Sequence, residues 1–448
     1  MNKVYIETYG CQMNFADSEV VASILQRGGF GIVESVEGAD FILINTCAIR
    51  DNAEQRIRKR LHELRAVQQR CPQLRIGILG CMAERLQSQL MVQEENVSLV
   101  VGPDAYRRLP EMLQQVREGA KSADTDLSTT ETYADIEPVR MGSNGISAYI
   151  SIMRGCQNYC AYCVVPYTRG RERSRDPKTI VAEARSLYRQ GYKEITLLGQ
   201  NVNSYRWKDD AAEGASLTGF PELISRVAEI SPRLRVRFAT SHPKDLSDEL
   251  LQAMASHDNI CRCIHLPIQS GSDRILHLMN RHYDSAWYLD RIAAIRHYLP
   301  DCSITTDVIV GFCTETDDEY RQTLDIFSQV RYDYAYMFKF SLRPDTYAAK
   351  HLHDDVPDAV KSARLEKLIA LQGQIALENN RKEIGREYEV LVEGESHRSK
   401  EQLFGRNSQN KVIVFDRRNV LPGQYVRVRV NSCTAATLIG ELIGAESR

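Results

Sequence analysis

The chain has 448 residues, of which 43% are hydrophobic and 26% are charged, and its formal net charge is −2. This composition is typical of an ordinary globular protein, and the near-neutral charge gives no reason to expect nucleic acid over the surface as a whole. One hydrophobic core cannot serve a chain of this length, so we expect two to four domains.

Apolar runs and cysteine content indicate the cellular compartment of the chain. No apolar run reaches about 18 residues, which excludes a membrane-spanning helix. The first ten residues predict a β-strand and lack the apolar core of a signal peptide. Twelve cysteines in such a chain indicate the reducing cytosol, and metal or cluster binding rather than a disulfide framework. We therefore expect a cytoplasmic protein.

Residues 1–118 alternate strand and helix patterns, which predicts an α/β domain with an open parallel sheet and helices on both faces. The strand patterns are Lys3–Thr8, Phe41–Asn45, Arg75–Leu79 and Val97–Val101, and the helical patterns are Ser18–Arg27, Asp51–Arg70 and Glu84–Val92. Cys11, Cys47 and Cys81 follow the first three strands. Because the carboxyl ends of parallel strands meet at one edge, we expect these cysteines to converge there. Position alone leaves open that they are three unrelated, half-buried cysteines.

Residues 119–145 are poor in large apolar side chains, and we interpret them as a linker or a long surface loop. Residues 146–375 contain six strand patterns separated by helical patterns, which predicts a partial (β/α)6 barrel. The strand patterns are Ala148–Met153, Glu194–Leu198, Arg235–Ala239, Cys263–Ile268, Ser303–Val310 and Tyr334–Phe340.

Active-site groups of such barrels lie at the carboxyl ends of the strands. The residues found there are Cys156, Gly199, Gln200, Asn201, Ser241, Gln269 and Gly311. Several of these are turn-forming types, so the alternative is that they only shape the loops. Their common position on one rim favours a functional role.

Cys156, Cys160 and Cys163 follow the first barrel strand with the spacing C-x3-C-x2-C. One loop with three thiolates at this spacing can hold an iron–sulfur cube and leave one of its irons open for a substrate. A structural zinc site would need a fourth ligand, and no further Cys or His lies nearby in the sequence. The remaining alternative is that the three are buried or chance cysteines.

Residues 376–448 follow a long charged helical pattern and show short alternating strands, which predicts a small all-β barrel. The strand patterns are Glu387–Val392, Val412–Phe415, Tyr425–Asn431 and Thr437–Leu442. Arginines of this module, including Arg417, Arg418 and Arg427, form either a basic face for RNA or a solvated surface.

Four further arginines follow the C-x3-C-x2-C loop at alternating positions, namely Arg169, Arg171, Arg173 and Arg175. In an extended segment they would share one face, and that face could follow RNA phosphates. Ordinary exposed arginines in a loop are the alternative. We expect the face that follows RNA phosphates.

Taken together, the motifs resemble those of the methylthiotransferases of the radical S-adenosylmethionine (SAM) superfamily, over nearly the whole chain. The shared segments are Thr8–Asn14 (TYGCQMN), Asn45–Arg50 (NTCAIR), Leu79–Glu84 (LGCMAE) and the C-x3-C-x2-C loop. The resemblance implies an N-terminal cluster domain, a radical SAM barrel and a C-terminal TRAM module that binds RNA. Tyr162 matches the aromatic residue that the superfamily places before its third cysteine.

The resemblance also implies cofactors and contacts. Two [4Fe–4S] clusters are expected, one on Cys156, Cys160 and Cys163, and an auxiliary one on Cys11, Cys47 and Cys81. Each turnover would use two SAM molecules, one as radical source and one as methyl donor. The implied SAM contacts are Tyr162, Gly199, Gln200, Asn201, Ser241, Gln269, Val310 and Gly311.

The function that the resemblance implies is modification of N6-dimethylallyladenosine 37, beside the tRNA anticodon, to its 2-methylthio derivative. The C2 hydrogen would be abstracted by a radical, and a methylated cluster-bound sulfur would take its place. The implied partners are the anticodon stem-loop, an electron-donor protein and a sulfur donor.

The sequences of three segments are most similar to the dimethylallyladenosine branch of the family. These segments are Gln12-Met13, Cys163–Arg175 and His265–Ser272. Methylthiotransferases acting on threonylcarbamoyladenosine in tRNA or on a ribosomal-protein aspartate stay open. A radical SAM methyltransferase and a noncatalytic iron–sulfur RNA-binding protein are the alternatives outside the family. One departure is visible, because Ser341–Thr346 has Leu and Asp where the family commonly has Pro and Gly.

Overall fold

The computed structural model describes residues 1–47, 51–142, 144–209, 216–396 and 398–445. The N-terminal part is a six-stranded, wholly parallel sheet in the order β2-β1-β3-β4-β5-β6. Its strands are β1 Lys3–Tyr9, β2 Gly31–Val33, β3 Phe41–Thr46, β4 Arg75–Gly80, β5 Val97–Val101 and β6 Ser122–Asp124. Its helices are α1 Gln12–Arg27, α2 Asp51–Arg70, α3 Cys81–Leu86, α4 Gln89–Gln93 and α5 Leu109–Arg117. A separate apolar core lies on each face of the sheet, so the predicted open parallel α/β sheet is confirmed.

The N-terminal part differs from the prediction in two additional short strands and in one helix that is divided in two. β2 and β6 extend the sheet at its two edges, although their sequences give no clear strand pattern. The helix predicted over Glu84–Val92 is two short helices, α3 and α4. Gln87 separates them because it takes a left-handed φ of 50°, which ends the helical hydrogen bonding.

The central part is a partial barrel of six parallel strands with helices outside. β7, β10 and β13 form one half, β14, β15 and β16 form the other, and a bridge between Val236 and Ile260 joins the halves. The six barrel strands are β7 Ser147–Ser151, β10 Glu194–Leu198, β13 Arg235–Ala239, β14 Cys263–His265, β15 Ser303–Val310 and β16 Tyr334–Lys339. Two short antiparallel pairs lie outside them, β8 Met153–Arg154 with β9 Arg173–Ser174 and β11 Arg206–Trp207 with β12 Thr218–Gly219. The predicted six-stranded barrel is confirmed.

Helices cover the outside of this barrel and bury its apolar core. They are α6 Val165–Arg169, α7 Pro177–Arg189, α8 Phe220–Ala228, α9 Asp248–Ser256, α10 Asp273–Leu278, α11 Ser285–Tyr298, α12 Asp317–Val330, α13 Tyr347–His351 and α14 Asp358–Arg381. Several begin with side-chain caps, and Thr316 and Glu319 form a complete capping box at the start of α12. None of the helices in the described ranges has the length and apolar character that a bilayer span needs.

The C-terminal part is a closed five-stranded barrel around its own apolar core. Its strands are β17 Glu387–Ser396, β18 Ser399–Arg406, β19 Val412–Asp416, β20 Tyr425–Cys433 and β21 Leu438–Ala445. The small all-β barrel is confirmed, with β18 as an additional strand whose sequence is too polar to show a strand pattern. Arg235 donates to the carbonyl of Arg406 at 2.7 Å, so this module docks at the amino ends of the central strands.

The interpretation of residues 119–145 as a linker or surface loop is wrong for part of the segment. Tyr133 is only 2% exposed, stacks on Tyr106 and donates its hydroxyl to the carbonyl of Pro103 at 3.0 Å. Arg140 then pairs with Glu19 of α1 and Glu183 of α7. A few anchoring side chains therefore fix the segment between the N-terminal sheet and the barrel, although its average composition is polar.

Candidate metal centres

The cysteines of the N-terminal sheet meet at one edge because their strands end in register. Tyr9 of β1 pairs with Thr46 of β3, and Thr46 pairs with Gly80 of β4. Cys47 and Cys81 follow Thr46 and Gly80 directly, and Cys11 follows Tyr9 after one intervening residue. A Cβ atom at Gly10 would lie 2.8 Å from Cβ of Cys47, which shows how closely the chain ends approach. Residues 48–50 of the second shared motif lie outside the described residues.

A pair of buried amides holds the first two strand ends together. Asn14 donates from Nδ2 to Oδ1 of Asn45 and to the carbonyl of Thr46, each at 3.1 Å, and Asn45 donates back to the carbonyl of Asn14 at 2.9 Å. Oδ1 of Asn14 accepts from the amide and the thiol of Cys11, both at 3.3 Å. Both amides are fully buried. They belong to the shared motifs, yet sequence reasoning assigned them no role.

The environment of Cys11 favours its thiolate. A hydrogen bond with Cys47 lowers the pKa of Cys11 to about 6, and the positive charge of Arg169 acts in the same direction. Arg169 reaches this edge from the barrel, and its Nε donates to Sγ of Cys81 at 3.2 Å. The thiolate is the form of cysteine that binds metals.

The second cysteine group lies on a loop fixed at several points. Gly155 takes a φ of +78°, and the amide of Cys156 donates to the carbonyl of Gly170 at 3.1 Å. Asn280 donates to the carbonyls of Asn158 and Tyr159, at 3.1 and 3.0 Å, from the far side of the loop. Because these bonds are made by the backbone and by Asn280, the cysteine side chains stay available for ligation.

Burial raises the pKa of two of the barrel thiols, those of Cys156 and Cys163. It raises the pKa of Cys156 to about 11, and it raises the pKa of Cys163 to about 12, with a further contribution from Cys160. Cluster binding must therefore displace protons at this site. The buried guanidinium of Arg281 donates to Sγ of Cys160 at 3.2 Å and to the hydroxyl of Tyr162 at 3.4 Å. Sequence reasoning missed Arg281 because it lies far along the chain.

The loop gives a direct prediction for Gly155→Ala. Its φ lies in the left-handed region, and a Cβ atom would clash with the carbonyl of Arg171. We expect the free energy of unfolding to fall by about 3 kcal/mol, with loss of iron at the barrel site. Urea unfolding and iron analysis measure both effects.

Gly191→Ala is the matched control, because Gly191 has a φ of +99° with no heavy atom within 4 Å of the added Cβ. The control should lose only about 1 kcal/mol and keep its iron. Equal losses in the two variants would show that the close approach of Gly155 to Arg171 carries no cost of its own.

The predicted arginine face is wrong for three of its four members. Arg169 ends α6 and Arg173 lies in β9, so the segment is not one extended strand. Arg169, Arg173 and Arg175 are buried, and their partners are Asp17, Asp104 and Glu183, respectively. Only Arg171 is exposed. Arg169 and Arg173 face the N-terminal domain, whereas Arg175 pairs with Glu183 of α7 inside the barrel domain, so the four side chains do not share one face.

These ion pairs form the seam between the two domains. Arg154, just before the cysteine loop, donates to Asp17 at 2.7 Å and lies 3.6 Å from Asp104. Arg169 donates to the other oxygen of Asp17 at 2.9 Å, and Arg173 binds Asp104 at 2.9 Å. The seam therefore runs from the first cysteine group to the second, and sequence reasoning found neither aspartate.

The rim of the barrel carries buried polar atoms without hydrogen-bond partners among the described residues. They are Oε1 of Gln200, Oδ1 of Asn201, both side-chain polar atoms of Asn203, Oγ of Ser241 and Nε2 of His242. Nδ2 of Asn201 is already used, since it donates to Asp245 at 2.6 Å. Unpaired buried polar groups are costly, so this rim is suited to a polar ligand. SAM fits such a set of donors and acceptors, because it carries the amino and carboxylate groups of methionine and the ribose hydroxyls of adenosine.

The other predicted SAM contacts are placed less directly. Gln269 has a φ of 69° and exchanges backbone hydrogen bonds with β15. The side chain of Val310 lies in the barrel core, and Gly311 packs against Lys361 of α14. Gly199 packs against Met153. These residues would meet a ligand through the backbone, and their roles stay predictions.

The two cysteine groups suit a cluster better than a single metal ion. All twelve cysteines are free, and within the described residues no three Cys, His, Asp or Glu side chains converge as they would around one ion. A cube binds each thiolate through a different iron, so the ligands need not point at one atom. Three thiols per group, with no fourth cysteine beside them in the described part of the chain, match a cube with one open iron.

The arginines predicted to bind RNA in the C-terminal barrel are exposed or half-buried, and acidic side chains lie beside two of them. Arg417 pairs with Glu395 at 2.5 Å and Arg427 with Glu387 at 3.1 Å. Arg418 donates to the carbonyl of Leu442 at 3.4 Å. Such exposed pairs are weak, so phosphates could replace the carboxylates.

Three family descriptions match successive parts of the chain. Residues 3–102 match "Uncharacterized protein family UPF0004", residues 150–327 match the Radical SAM superfamily and residues 381–443 match the TRAM domain. The radical SAM superfamily implies a [4Fe–4S] cluster and SAM. Among solved structures, the fold is similar to the radical SAM methyltransferase TsrM from Kitasatospora setae. The TM-score is 0.57 at 15% identity, covering 78% of this chain and 75% of that chain.

Several relatives are similar over nearly their whole length, and those named here carry the name tRNA-2-methylthio-N(6)-dimethylallyladenosine synthase. The protein from Bacteroides fragilis is 54% identical over 98% of this chain and 95% of its own. The protein from Bacteroides thetaiotaomicron is 54% identical over 98% and 96%. The protein from Porphyromonas gingivalis is 51% identical over 98% and 95%.

Proposed function

The chain belongs to the family of the tRNA-2-methylthio-N(6)-dimethylallyladenosine synthases, and we propose that it converts N6-dimethylallyladenosine beside the tRNA anticodon into its 2-methylthio derivative. One observation carries the proposal. Two groups of three cysteines lie at the carboxyl ends of two adjacent sheets, and Arg169, which follows the barrel cysteine loop, donates to Sγ of Cys81 across the domain seam. A methyl transfer alone would need no second group of ligands at that seam.

The barrel group serves the radical chemistry. With a [4Fe–4S] cluster and SAM bound, it supplies a radical that can break the C2–H bond of adenine, which no ordinary base can deprotonate. Cys156, Cys160 and Cys163 hold the cluster, and Arg281 compensates the negative charge of the thiolates. The unpaired polar atoms on Gln200, Asn201 and Ser241 receive the polar groups of SAM.

The N-terminal group serves sulfur transfer. Cys11, Cys47 and Cys81 would hold a second [4Fe–4S] cluster, which would supply the sulfur-transfer chemistry. A second SAM molecule provides the methyl group. The pair Asn14 and Asn45 keeps these ligands in place without using the thiols themselves. An electron donor and a sulfur donor are needed as partners, because neither SAM nor RNA supplies them.

The substrate is a base in the anticodon stem-loop of tRNA. That base must leave its stack to reach the seam, which costs on the order of a few kcal/mol and less in a flexible loop than in a duplex. The C-terminal barrel and the exposed Arg171 would bind the phosphates. Because the C-terminal barrel lies at the amino ends of the central strands, it would contact tRNA away from the modified base.

Nucleoside analysis of tRNA from a strain without this gene tests the function. We expect 2-methylthio-N6-dimethylallyladenosine to disappear, N6-dimethylallyladenosine to accumulate, and the chain to restore the product when supplied again. Loss of a threonylcarbamoyladenosine derivative instead, with the dimethylallyl product unchanged, would assign the chain to another branch of the family.

The RNA-binding role of the C-terminal barrel is tested by point substitutions. Changing Arg417, Arg418 and Arg427 to Ala should flatten the dependence of tRNA affinity on salt, by about one unit of slope for each phosphate that is no longer bound. Removal of the module is a poorer test, since Arg235 and Arg237 donate to its backbone and would lose those hydrogen bonds. Filter binding at several salt concentrations gives the slope.

Arg321→Ala is the matched control for this measurement. Arg321 is a highly exposed arginine of α12, paired with Asp318 on the outside of the barrel. Its removal should leave the slope unchanged. If the triple variant and the control gave the same slope, the three arginines would serve only to solvate the surface.

A further inference from the structure

Arg169 belongs to the barrel in sequence and to the N-terminal cysteine group in space. It is the last residue of α6, shortly after Cys163, and it is only 3% exposed. Its Nε donates to Sγ of Cys81 at 3.2 Å and its Nη2 to Asp17 at 2.9 Å. Its Nη1 is buried without a hydrogen-bond partner among the described residues.

The buried ion pairs of the seam bring the guanidinium of Arg169 to the N-terminal cysteine group. The three buried arginines Arg154, Arg169 and Arg173 face two buried aspartates, Asp17 and Asp104. Buried charges are stable only when they are paired. Of these three arginines, Arg169 is the one that donates to a cysteine, so its charge acts directly on the N-terminal cysteine group.

We propose that Arg169 is a positioning residue that stabilises negative charge at this group, both on the Cys81 thiolate and on an anionic sulfur ligand of the open iron. The inference rests on the proposed function, because it requires a cluster on Cys11, Cys47 and Cys81. The free Nη1 provides the additional donor that an incoming anionic sulfur needs. A neutral residue at this position would supply no positive charge to the thiolate or to Asp17.

The proposal has a consequence that a merely structural arginine would not have. Hydrogen bonds and positive charge at ligand sulfurs favour the reduced, more negative cluster and so raise its reduction potential. Arg281 makes the same kind of contact with Cys160, so the barrel cluster keeps its own arginine when Arg169 is changed. The effect is therefore confined to the N-terminal cluster.

The test uses the full-length chain with Cys156, Cys160 and Cys163 changed to Ala, so that only the N-terminal cluster is present. In this background, Arg169→Gln should shift the reduction potential to a more negative value, measured by a redox titration followed by electron paramagnetic resonance. Binding of methanethiolate to the open iron, followed by the same spectrum, should weaken by about tenfold, as expected when a hydrogen bond to a charged group is removed.

Arg173→Gln is the matched control, because Arg173 is buried in the same seam but contacts Asp104 and not a cysteine. It should leave the potential and the methanethiolate affinity unchanged. Asp17 keeps its bond to Arg154 in the Arg169→Gln variant, which limits the loss of stability.

Arg169→Lys keeps the charge but removes the planar fork that spans Cys81 and Asp17, so both quantities should change less than in Arg169→Gln. Values for both Arg169 variants equal to those of Arg173→Gln would overturn the inference. If Arg169→Gln did not fold, an unchanged reduction potential and an unchanged methanethiolate affinity in Arg169→Lys would be enough to overturn the inference. A background protein that folds but binds no iron would instead refute the proposed N-terminal cluster.

Discussion

Changing Cys156, Cys160 and Cys163 together to Ala is expected to abolish reductive cleavage of SAM and to lower the iron content from about eight to about four per chain. Among the described residues, the side chains that bind this loop include Asn280, Arg281 and Glu172, and none of the three is a thiol that could replace a cysteine ligand. Iron analysis after anaerobic reconstitution and chromatography of 5′-deoxyadenosine measure the two effects.

The matched control for this variant changes Cys261, Cys263 and Cys302 to Ala. These cysteines also belong to the barrel, but they lie at the amino ends of β14 and β15, away from the rim. The control should keep all of its iron and its SAM cleavage. Full iron content in the Cys156, Cys160 and Cys163 variant would show that these residues do not hold a cluster.

The second large effect is a separation of the two steps. Changing Cys11, Cys47 and Cys81 to Ala should leave SAM cleavage intact, because hydrogen abstraction requires only the barrel cluster and a positioned adenine. It should eliminate methylthiolated product, whatever sulfide is supplied, because no open iron remains to bind sulfur. Mass spectrometry of digested tRNA and the yield of 5′-deoxyadenosine measure both outcomes in one reaction.

This variant is informative only if its N-terminal domain stays folded, and the structure gives a reason to expect that. The strand ends are joined by the amides of Asn14 and Asn45, which do not depend on a metal. An ordinary melting profile is therefore expected, and Cys71→Ala, at an exposed cysteine, is the control. Methylthiolated product from the folded triple variant would contradict the sulfur-binding role of this site.

The strands of both α/β parts were predictable because buried parallel strands are continuous apolar runs with clear ends. β3, for example, is wholly buried along its length. The positions of the cysteines after such strands then followed from topology, since parallel strands end at one edge. Sequence reasoning therefore reached the two cysteine groups without side-chain detail.

The seam was not predictable from local pattern because it depends on pairs far apart in the chain. Asp17 and Arg169 are 152 residues apart in the chain, and each alone looks like a surface residue. The turn at Asp345 is a separate case, in which the sequence departs from the family. Asp345 takes a φ of +70° where the family commonly has Gly. Aspartate tolerates the left-handed region better than most residues, so the turn is kept despite the departure.

The central claim is that the chain removes hydrogen from C2 of adenine and puts a methylthio group there. The most direct measurement supplies a tRNA anticodon stem-loop whose N6-dimethylallyladenosine carries deuterium at C2. The account predicts one deuterium in 5′-deoxyadenosine and a 2-methylthio group in the nucleoside, in matching amounts. Methylthiolated product with no deuterium in 5′-deoxyadenosine would contradict it.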